Sequence, residues 1–404
     1  MYKKSFYFLL LALILGKVDF LSARTAFCKV SIADIVSHPL ATAHESYQAI
    51  KQSYAQLPIS WVQNVTNKIV CPRIYQLLKH EIVTVLEETE HEAYIEISYC
   101  FVAQDKYNQT PLRGWILKEN ISNSQEYNTY KNLLPEPLTQ QSHLTTSNSV
   151  SLVSPYQDED GIFYSAGTRF VIHDKINDFY LVLAYDHIRQ KFKEIELPET
   201  ICCFQNEPLS LHEKRILFCD LVTLWATIPN GCIPLVWGGA SIGKIWDQDD
   251  YYQATRKGPA GKIYYIWERP HYDTFAYMGV DASNVILRAA QTVGIPYFCK
   301  NSTTAKHVLD SLAMYEWPQD GDLIWVEGGL LIINNLENNT AVTAMSYDSG
   351  YGGFIQLPLN ALFKNITTYD DLVTAYQKGL PVTVLNRDGS EARTSPFELL
   401  KLIS

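Results

Sequence analysis

The glycine-rich run 238–245 (GGASIGKI) is the first candidate for chemistry, because a glycine, four residues and then Gly-Lys is the spacing of a phosphate-binding loop. Such a loop also needs Ser or Thr after the lysine, to supply a hydroxyl to magnesium. Ile245 stands at that position, and no hydrophobic strand followed by a long helix frames the run. The pattern therefore does not support nucleotide binding.

Other hydrolase and metal motifs are absent from the sequence. His91-Glu92 and His212-Glu213 lack the second histidine that the metalloprotease pattern H-E-x-x-H requires, and G-x-S-x-G does not occur. The eight cysteines include no C-x-x-C pair, which argues against a zinc ribbon or a thioredoxin-like centre. We expect neither a metal nor a cofactor, and we interpret the ten scattered histidines as structural or surface residues.

One helix start and a group of strands stand out in the segment 232–357. Asp281 or Ser283 can cap a helix whose apolar stripe continues to Val293, and residues 294–296 (GIP) end that helix. After the Gly-Asp pair that follows, the pattern predicts three successive antiparallel strands, over residues 323–326, 330–333 and 340–344. The segment therefore sets a helix start against a small sheet.

The order of these motifs resembles that of the NlpC family of cell-wall cysteine endopeptidases. That family shows P-Y-x-W-G-G, then G-x-D-C-S-G at a helix start, G-I-x-x-P, and G-D-L-[IV]-F-F followed by G-H-V-G-I-Y and I-H-A. The matching residues, in order, are Pro234, Trp237, Gly238, Gly239, Gly279, Asp281, Ser283, Gly294, Ile295, Pro296, Gly321, Asp322 and Leu323. The resemblance covers about 125 of the 404 residues and implies a papain-like fold for this segment.

The departures from the family pattern fall on the residues that would do the chemistry. By this resemblance Ala282 occupies the position of the nucleophilic cysteine, Gly329 that of the catalytic histidine, and Thr343 that of the group that orients the histidine. Acyl transfer needs a thiolate, which a helix N-terminus and a neighbouring imidazole generate by lowering the thiol pKa. Since a methyl group cannot attack a carbonyl, we expect no intact catalytic residue. Cys232 and Cys299 flank apolar runs and are interpreted as core thiols.

A groove without a nucleophile can still bind a ligand. The candidate substrate-binding residues are Trp237, Gly238, Asp281, Ser283, Trp267 and Tyr272. The last two belong to an insertion, residues 240–279, in which many aromatic residues alternate with charges. Such side chains suit stacking on sugars or clamping a peptide. A flap that packs its rings on its own domain is an equally good interpretation.

Composition bounds the class of protein. Apolar residues make up 47% of the chain and charged residues 19%, which is a globular balance, and 404 residues are enough for more than one compact unit. The net charge of −10 argues against a nucleic-acid binder.

The N-terminus is typical of an export signal. Lys3 and Lys4 precede the apolar run 6–16, and residues 21–23 (LSA) offer a cleavage site after Ala23. A membrane anchor is the alternative, but the apolar run is about half of the roughly 20 residues that span a bilayer. We expect export to the periplasm or cell envelope, with no stable membrane span after removal of the signal. There the cysteines can be paired or remain small buried residues, and the adjacent Cys202 and Cys203 could form a vicinal bridge.

We therefore predict an α+β protein in which two small SH3-like β barrels precede a papain-like NlpC-type domain. Residues 114–116 (GWI) are similar to the terminal Gly-Trp strand of such barrels. The predicted units are the signal peptide (1–23), a helical lead-in (24–60), the first barrel (61–131), a linker (132–148), the second barrel (149–200), the NlpC-type domain (207–360) and a C-terminal helical cap (361–404).

Three functions remain open from the sequence. The chain could bind peptidoglycan stem peptides or a cell-wall protein without cutting them, and the resemblance implies affinity for γ-D-glutamyl-diaminopimelate peptides. It could be an active endopeptidase that cuts those bonds by another arrangement of residues. It could also be a scaffold or inhibitor of another hydrolase.

Overall fold

The computed structural model describes residues 23–41, 45–59, 62–63, 68–69, 71–137, 148–204, 209–228, 231–243, 246–247 and 276–403. The predicted signal peptide lies outside these residues, apart from Ala23. Within the described ranges, no helix has the length and apolar character needed to cross a membrane.

The first block of the chain has eight strands among the described residues, six of which form an antiparallel sheet. Its strands are β1 (Arg24–Phe27), β2 (Ile32–Val36), β3 (Val62–Gln63), β4 (Lys68–Ile69), β5 (Arg73–Leu78), β6 (Ile82–Glu88), β7 (Glu92–Ala103) and β8 (Gln109–Leu117), with helices α1 (Tyr47–Ala55) and α2 (Ser124–Tyr130). Six strands pair in the order β1-β6-β7-β8-β2-β5, while β3 and β4 pair only with each other. The edge strands β1 and β5 do not pair, so this sheet does not close into the predicted barrel within the described residues.

The predicted helical lead-in over 24–60 is corrected by this sheet. Among the described residues of this range, Tyr47–Ala55 is the one α-helix, while β1 pairs with β6, and β2 pairs with β5 and β8. All five residues of β2 are buried. The continuous burial of β2 is typical of a strand covered on both faces, and it is invisible to a search for helical spacing.

The second block has seven strands among the described residues, five of which form a sheet with its own core. Its strands are β9 (Ser149–Leu152), β10 (Tyr156–Gln157), β11 (Phe163–Tyr164), β12 (Arg169–Ile176), β13 (Phe179–Asp186), β14 (Lys191–Pro198) and β15 (Cys202–Phe204). The order is β14-β13-β12-β9-β15, and β10 and β11 form a separate hairpin. This sheet does not close either among the described strands.

The third block holds the segment with the family motifs. Helix α3 (Leu211–Ala226) precedes strands β16 (Gly231–Pro234), β17 (Ala240–Ser241), β18 (Trp246–Asp247) and β19 (Gly279–Val280), and helices α4 (Ala282–Val293) and α5 (Ser302–Val308) follow. The rest of the block is β20 (Leu323–Val326), β21 (Gly329–Asn335), β22 (Thr340–Ala344), β23 (Gly353–Pro358), α6 (Leu359–Leu362), α7 (Tyr369–Gln377), β24 (Val382–Leu385), β25 (Glu391–Ser395) and β26 (Phe397–Leu400). The predicted antiparallel strands β20, β21 and β22 are confirmed.

A seven-stranded sheet in the order β18-β16-β23-β22-β21-β20-β26 divides this block into two cores. On the face covered by α3 and α4, here called the α4 face, Leu330 and Ile332 pack with Ile286 and Val222. On the opposite face, the α7 face, the sheet packs against α6 and α7; its side chains there include Ile324, Val326, Leu331, Ile333 and Ala341.

The C-terminal prediction needs correction as well. Residues 361–404 are not a helical cap, since β24 and β25 form a hairpin and β26 joins the main sheet. The third block therefore extends to Leu400 instead of ending near residue 360. Pairing with β26 satisfies the backbone groups of β20 that would otherwise form an open sheet edge. Leu399 and Leu400, on opposite faces, are both fully buried.

Candidate functional site

The start of helix α4 is fixed by Asp281, as one of the two predicted caps. Its Oδ1 accepts hydrogen bonds from the backbone N–H of Ser283 (3.0 Å) and of Asn284 (2.7 Å). The Asn284 amide donates to Oδ2 at 3.0 Å. Gly294, in the left-handed region at φ 76°, ends the helix as predicted. Ser283 is buried in the first turn and does not cap the helix.

The Asp281 carboxyl is the main charged group at this helix start. Burial raises its pKa, while the Lys300 ammonium, whose Nζ lies 3.8 Å from Oδ2, and the backbone N–H groups of Ser283, Asn284 and Gly238 oppose that increase. The Gly238 N–H joins the Trp-Gly-Gly turn directly to the cap. The arrangement offers a paired charge instead of a free one, which suits positioning more than acid–base chemistry.

Close backbone packing brings the Trp-Gly-Gly turn beside α4. The Asp281 N–H donates to the Gly239 carbonyl at 3.0 Å, and the Trp237 N–H donates to the Ile59 carbonyl at 2.7 Å. Both glycines are required: a Cβ on Gly239 would lie 2.4 Å from the Gly279 oxygen, and one on Gly238 would lie 2.7 Å from the Arg73 oxygen. The structure thus gathers the predicted residues of this turn and the Asp281 cap.

Arg73, which sequence reasoning missed, anchors this turn from the first sheet. Its fully buried guanidinium pairs with Asp34, at 2.7 Å from Nε to Oδ1, and Nη1 donates to the carbonyls of Pro58 (3.0 Å) and Trp237 (3.3 Å). The Trp237 indole remains 38% exposed. A rigid backbone therefore presents an apolar ring to solvent next to the helix start.

A second buried arginine, also missed, fastens α4 to the first sheet. Arg288 donates from Nε to the Ala240 carbonyl at 3.0 Å and from Nη2 to the Tyr75 hydroxyl at 3.1 Å, and it forms an ion pair with Glu81. Arginine side chains are almost never fully buried unless they are paired with an opposite charge. Arg288 lies away from the apolar stripe predicted for this helix, so no local pattern in the sequence indicated its burial.

The predicted base position and its orienting group lie on the wrong face of the sheet. Side chains alternate along a strand, so Gly329 has the orientation of Leu331 and Thr343 that of Ala341, and both of those residues pack on the α7 face. A Cβ on Gly329 would meet Val326 Cγ2 at 3.2 Å, also on that face. Gly329 and Thr343 therefore lie on the face of the sheet turned away from α4 and Ala282.

The residues that do face α4 at this end of the sheet are apolar. Trp325, Leu330 and Ala344 belong to the core of the α4 face, and the half-buried Ala282 packs against the same core. Their side chains supply neither a carboxylate nor an imidazole. Among the described residues, this helix start therefore has no base aimed at it from the sheet.

The described cysteines are buried or half-buried thiols that form no disulfide. All eight cysteines are free, so the vicinal bridge between Cys202 and Cys203 is not formed. Burial raises the pKa of Cys299 to about 12 and that of Cys232 to about 11, which keeps both as unreactive thiols at neutral pH. The Nδ1 of the exposed His307 lies 3.4 Å from the Ala103 carbonyl.

Trp267 and Tyr272 lie outside the described residues, as does most of the aromatic insertion 240–279. Of its described part, Tyr277 is buried, and its carbonyl accepts a hydrogen bond from the Gln76 amide. In the described ranges, no group of three or more His, Cys, Asp or Glu side chains could hold a metal ion.

Comparisons with known proteins give a distant likeness in fold. No family model and no curated protein matches the sequence. A crystal structure of an NlpC/P60 family protein from Bacillus cereus is similar, at 15% identity and a TM-score of 0.49, over 83% of this chain and 94% of that chain. NlpC2 from Trichomonas vaginalis is similar at 11% identity and a TM-score of 0.30, over 85% and 95%. At these values the likeness does not by itself assign a family or an activity to the chain.

Proposed function

We propose that this chain binds cell-wall stem peptides, or a cell-wall protein, at the surface between Trp237 and the start of α4, and that it does not cleave them. The observation that carries the proposal is the methyl group of Ala282 at the helix start, opposite the apolar residues Trp325, Leu330 and Ala344. The ligand class follows from the order of motifs that resembles the NlpC family. The proposal places the protein outside the cytoplasm, in the periplasm or cell envelope.

Chemistry argues against turnover at this surface. Acyl transfer needs a nucleophile and a base that removes its proton. Loss of the nucleophile in a comparable triad costs about a million-fold in rate, or about 8 kcal/mol of barrier. Here both groups are missing, and the α4 N-terminus is already occupied by the Asp281 carboxylate. What remains is a binding surface.

This surface has features that suit peptide recognition. The Trp237 indole is a partly exposed apolar surface whose backbone is held by Arg73, so little entropy is lost when a ligand packs on it. Asp281 and Lys300 neutralise each other beside the turn, and Lys300 is buried, so the ligand would contact mainly the apolar indole.

The test is incubation of the full chain with purified muropeptides. We expect no release of free amines and a saturable binding isotherm by calorimetry. Trp237→Ala should weaken binding at least tenfold, whereas Trp317→Ala, which removes another half-exposed indole from a loop before β20, should leave it unchanged.

Two outcomes would overturn the proposal. Release of amines that alkylation abolishes would establish the active endopeptidase. Absence of binding, together with co-purification of an active hydrolase, would favour the scaffold or inhibitor.

A further inference from the structure

A cleft beside helix α7 has a volume of about 430 Å³, which is within the range of clefts that hold small ligands. It lies between α7, the turn at residues 364–366 and the start of β24, and we call it the α7 cleft. The surface around Trp237 lies at the start of α4, which packs on the opposite face of the main sheet. The two places are therefore separate.

Turns in the left-handed region shape the α7 cleft at both ends. The Lys364 N–H donates to the Thr383 carbonyl of β24 at 2.9 Å, and Asn365, at φ 60°, then turns the chain away from that strand. After α7, Gly379, at φ 63°, turns the chain back toward β24. Since the walls are fixed by these turns, binding needs little further ordering of the backbone.

The floor of the α7 cleft is apolar. Ile366, Ala375 and Val382 line it and belong to the buried core of the α7 face. Such a floor can take up small apolar side chains, while the specificity of a cleft comes from a few polar groups placed around it.

The polar groups follow one line along α7. Asp370, Thr374 and Lys378 all border the cleft, are exposed, and are spaced four residues apart, so that each is the next one's neighbour on the helix surface. At 1.5 Å of rise per residue, the line is about 12 Å long. It runs from a carboxylate through a hydroxyl to an ammonium.

The other charges at the cleft already have partners in the protein. Lys364 forms an ion pair with Glu391, and Asp371 Oδ2 accepts two backbone N–H groups from the turn before α7, at 2.9 and 3.0 Å. Within the described part of the chain, neither the Asp370 carboxylate nor the Lys378 ammonium forms an ion pair. These two opposite charges, at the two ends of the line, remain available to a ligand.

We propose that the α7 cleft binds a short linear peptide whose two ends are free, with the amine at Asp370 and the carboxylate at Lys378. Three or four extended residues span roughly 10–14 Å, which matches the length of the line on α7. Opposite charges at the two ends select one orientation of the peptide, and the Thr374 hydroxyl can bond a peptide group between them. The proposal does not depend on ligand binding near Trp237.

Calorimetry with tetra-alanine as the probe tests the proposal on the full chain. We expect saturable binding that becomes about fivefold weaker when the peptide is N-acetylated and about fivefold weaker when it is C-amidated, because each change removes one exposed ion pair. Trp237→Ala should leave the dissociation constant for tetra-alanine unchanged. Failure of the proposed function at Trp237 can therefore be told apart from failure of the α7 cleft.

Variants assign each end of the peptide. Lys378→Met should weaken binding of tetra-alanine about fivefold and leave binding of the C-amidated peptide unchanged, and Asp370→Asn should do the same with the N-acetylated peptide. Lys131→Met, at an exposed lysine of the first block, should alter neither affinity.

Several results would refute the proposal. They are absence of binding, equal affinity for free and capped peptides, or loss of binding in Trp237→Ala. The charges also suit the dipole of α7, negative at its start and positive at its end. Asp370→Asn and Lys378→Met variants that lose stability to urea but keep the native affinity for tetra-alanine would show that the two charges serve only the helix.

Discussion

The buried His80 gives the sharpest quantitative prediction. The Tyr185 backbone N–H donates to its Nε2 at 3.0 Å, so the proton resides on Nδ1, which lies 3.1 Å from the Arg169 carbonyl. The ring stacks on Phe192, with 5.6 Å between centroids. The pKa of His80 is lowered from 6.5 to about 3. Burial is the main cause; the hydrogen bond to the Arg169 carbonyl opposes it, and the charge of the neighbouring Lys79 adds to it. Protonation of Nε2 would break the bond to Tyr185.

The pH dependence of the free energy of unfolding follows from the difference between the pKa values of His80 in the folded and unfolded states. Because the pKa of His80 is lower in the folded state, its contribution is present above pH 6.5 and is lost as the pH falls toward 3. At about 1.4 kcal/mol per pKa unit, the free energy of unfolding should fall by about 2 kcal/mol between pH 7 and pH 5 through this residue alone. Most of that loss occurs below pH 6.

The assay is urea unfolding at pH 7 and pH 5, followed by circular dichroism, for the native chain and His80→Gln. Glutamine does not titrate, so the variant should be less stable at pH 7 and should lose about 2 kcal/mol less on acidification. His212→Gln, at an exposed histidine, should keep the native pH dependence. Equal pH dependence of the native chain and His80→Gln would refute the assignment of a buried neutral ring.

Three further predictions concern helix α4. Ala282→Cys should be alkylated faster than Cys232 and Cys299, by peptide mapping, because their thiol pKa values are raised by burial; it should release no amines from muropeptides, and cleavage would show that a base had been overlooked. Asp281→Ala should lower the free energy of unfolding by about 1 kcal/mol and Asp281→Asn by less, since asparagine also caps helices; equal losses would contradict the cap. Arg288→Met should cost about 3 kcal/mol because it leaves Glu81 unpaired, and adding Glu81→Gln should recover part of the loss. No recovery in the double variant would assign the cost to packing.

Short-range sequence patterns were enough to predict helix α4 and the strands beside it. The cap at Asp281, the stop at Gly294 and the three strands after Gly321 each depend on residues within a few positions of one another. Such interactions form in any context that keeps the segment folded. The methyl group at position 282 is likewise a property of the sequence alone.

The face of the sheet on which a strand residue lies could not be predicted from local sequence patterns. Side chains alternate every residue, so an alignment error of one position moves Gly329 from one face of the sheet to the other. The motif order had placed Gly329 and Thr343 opposite α4, while pairing in the sheet turns both toward α7. Leu330 is the residue that faces the helix.

The sequence alone determined that α4 begins with the methyl group of Ala282, because the identity of a side chain does not depend on folding. Tertiary structure decided what surrounds that start. Arg73 holds the Trp237 carbonyl, and Arg288 of α4 holds the Tyr75 hydroxyl, in both cases across more than 160 residues of sequence. Strand β26, from the end of the chain, pairs with the edge of the main sheet. Contacts of this range have no local pattern, since they depend on loop closure and on the burial of paired charges in the completed core.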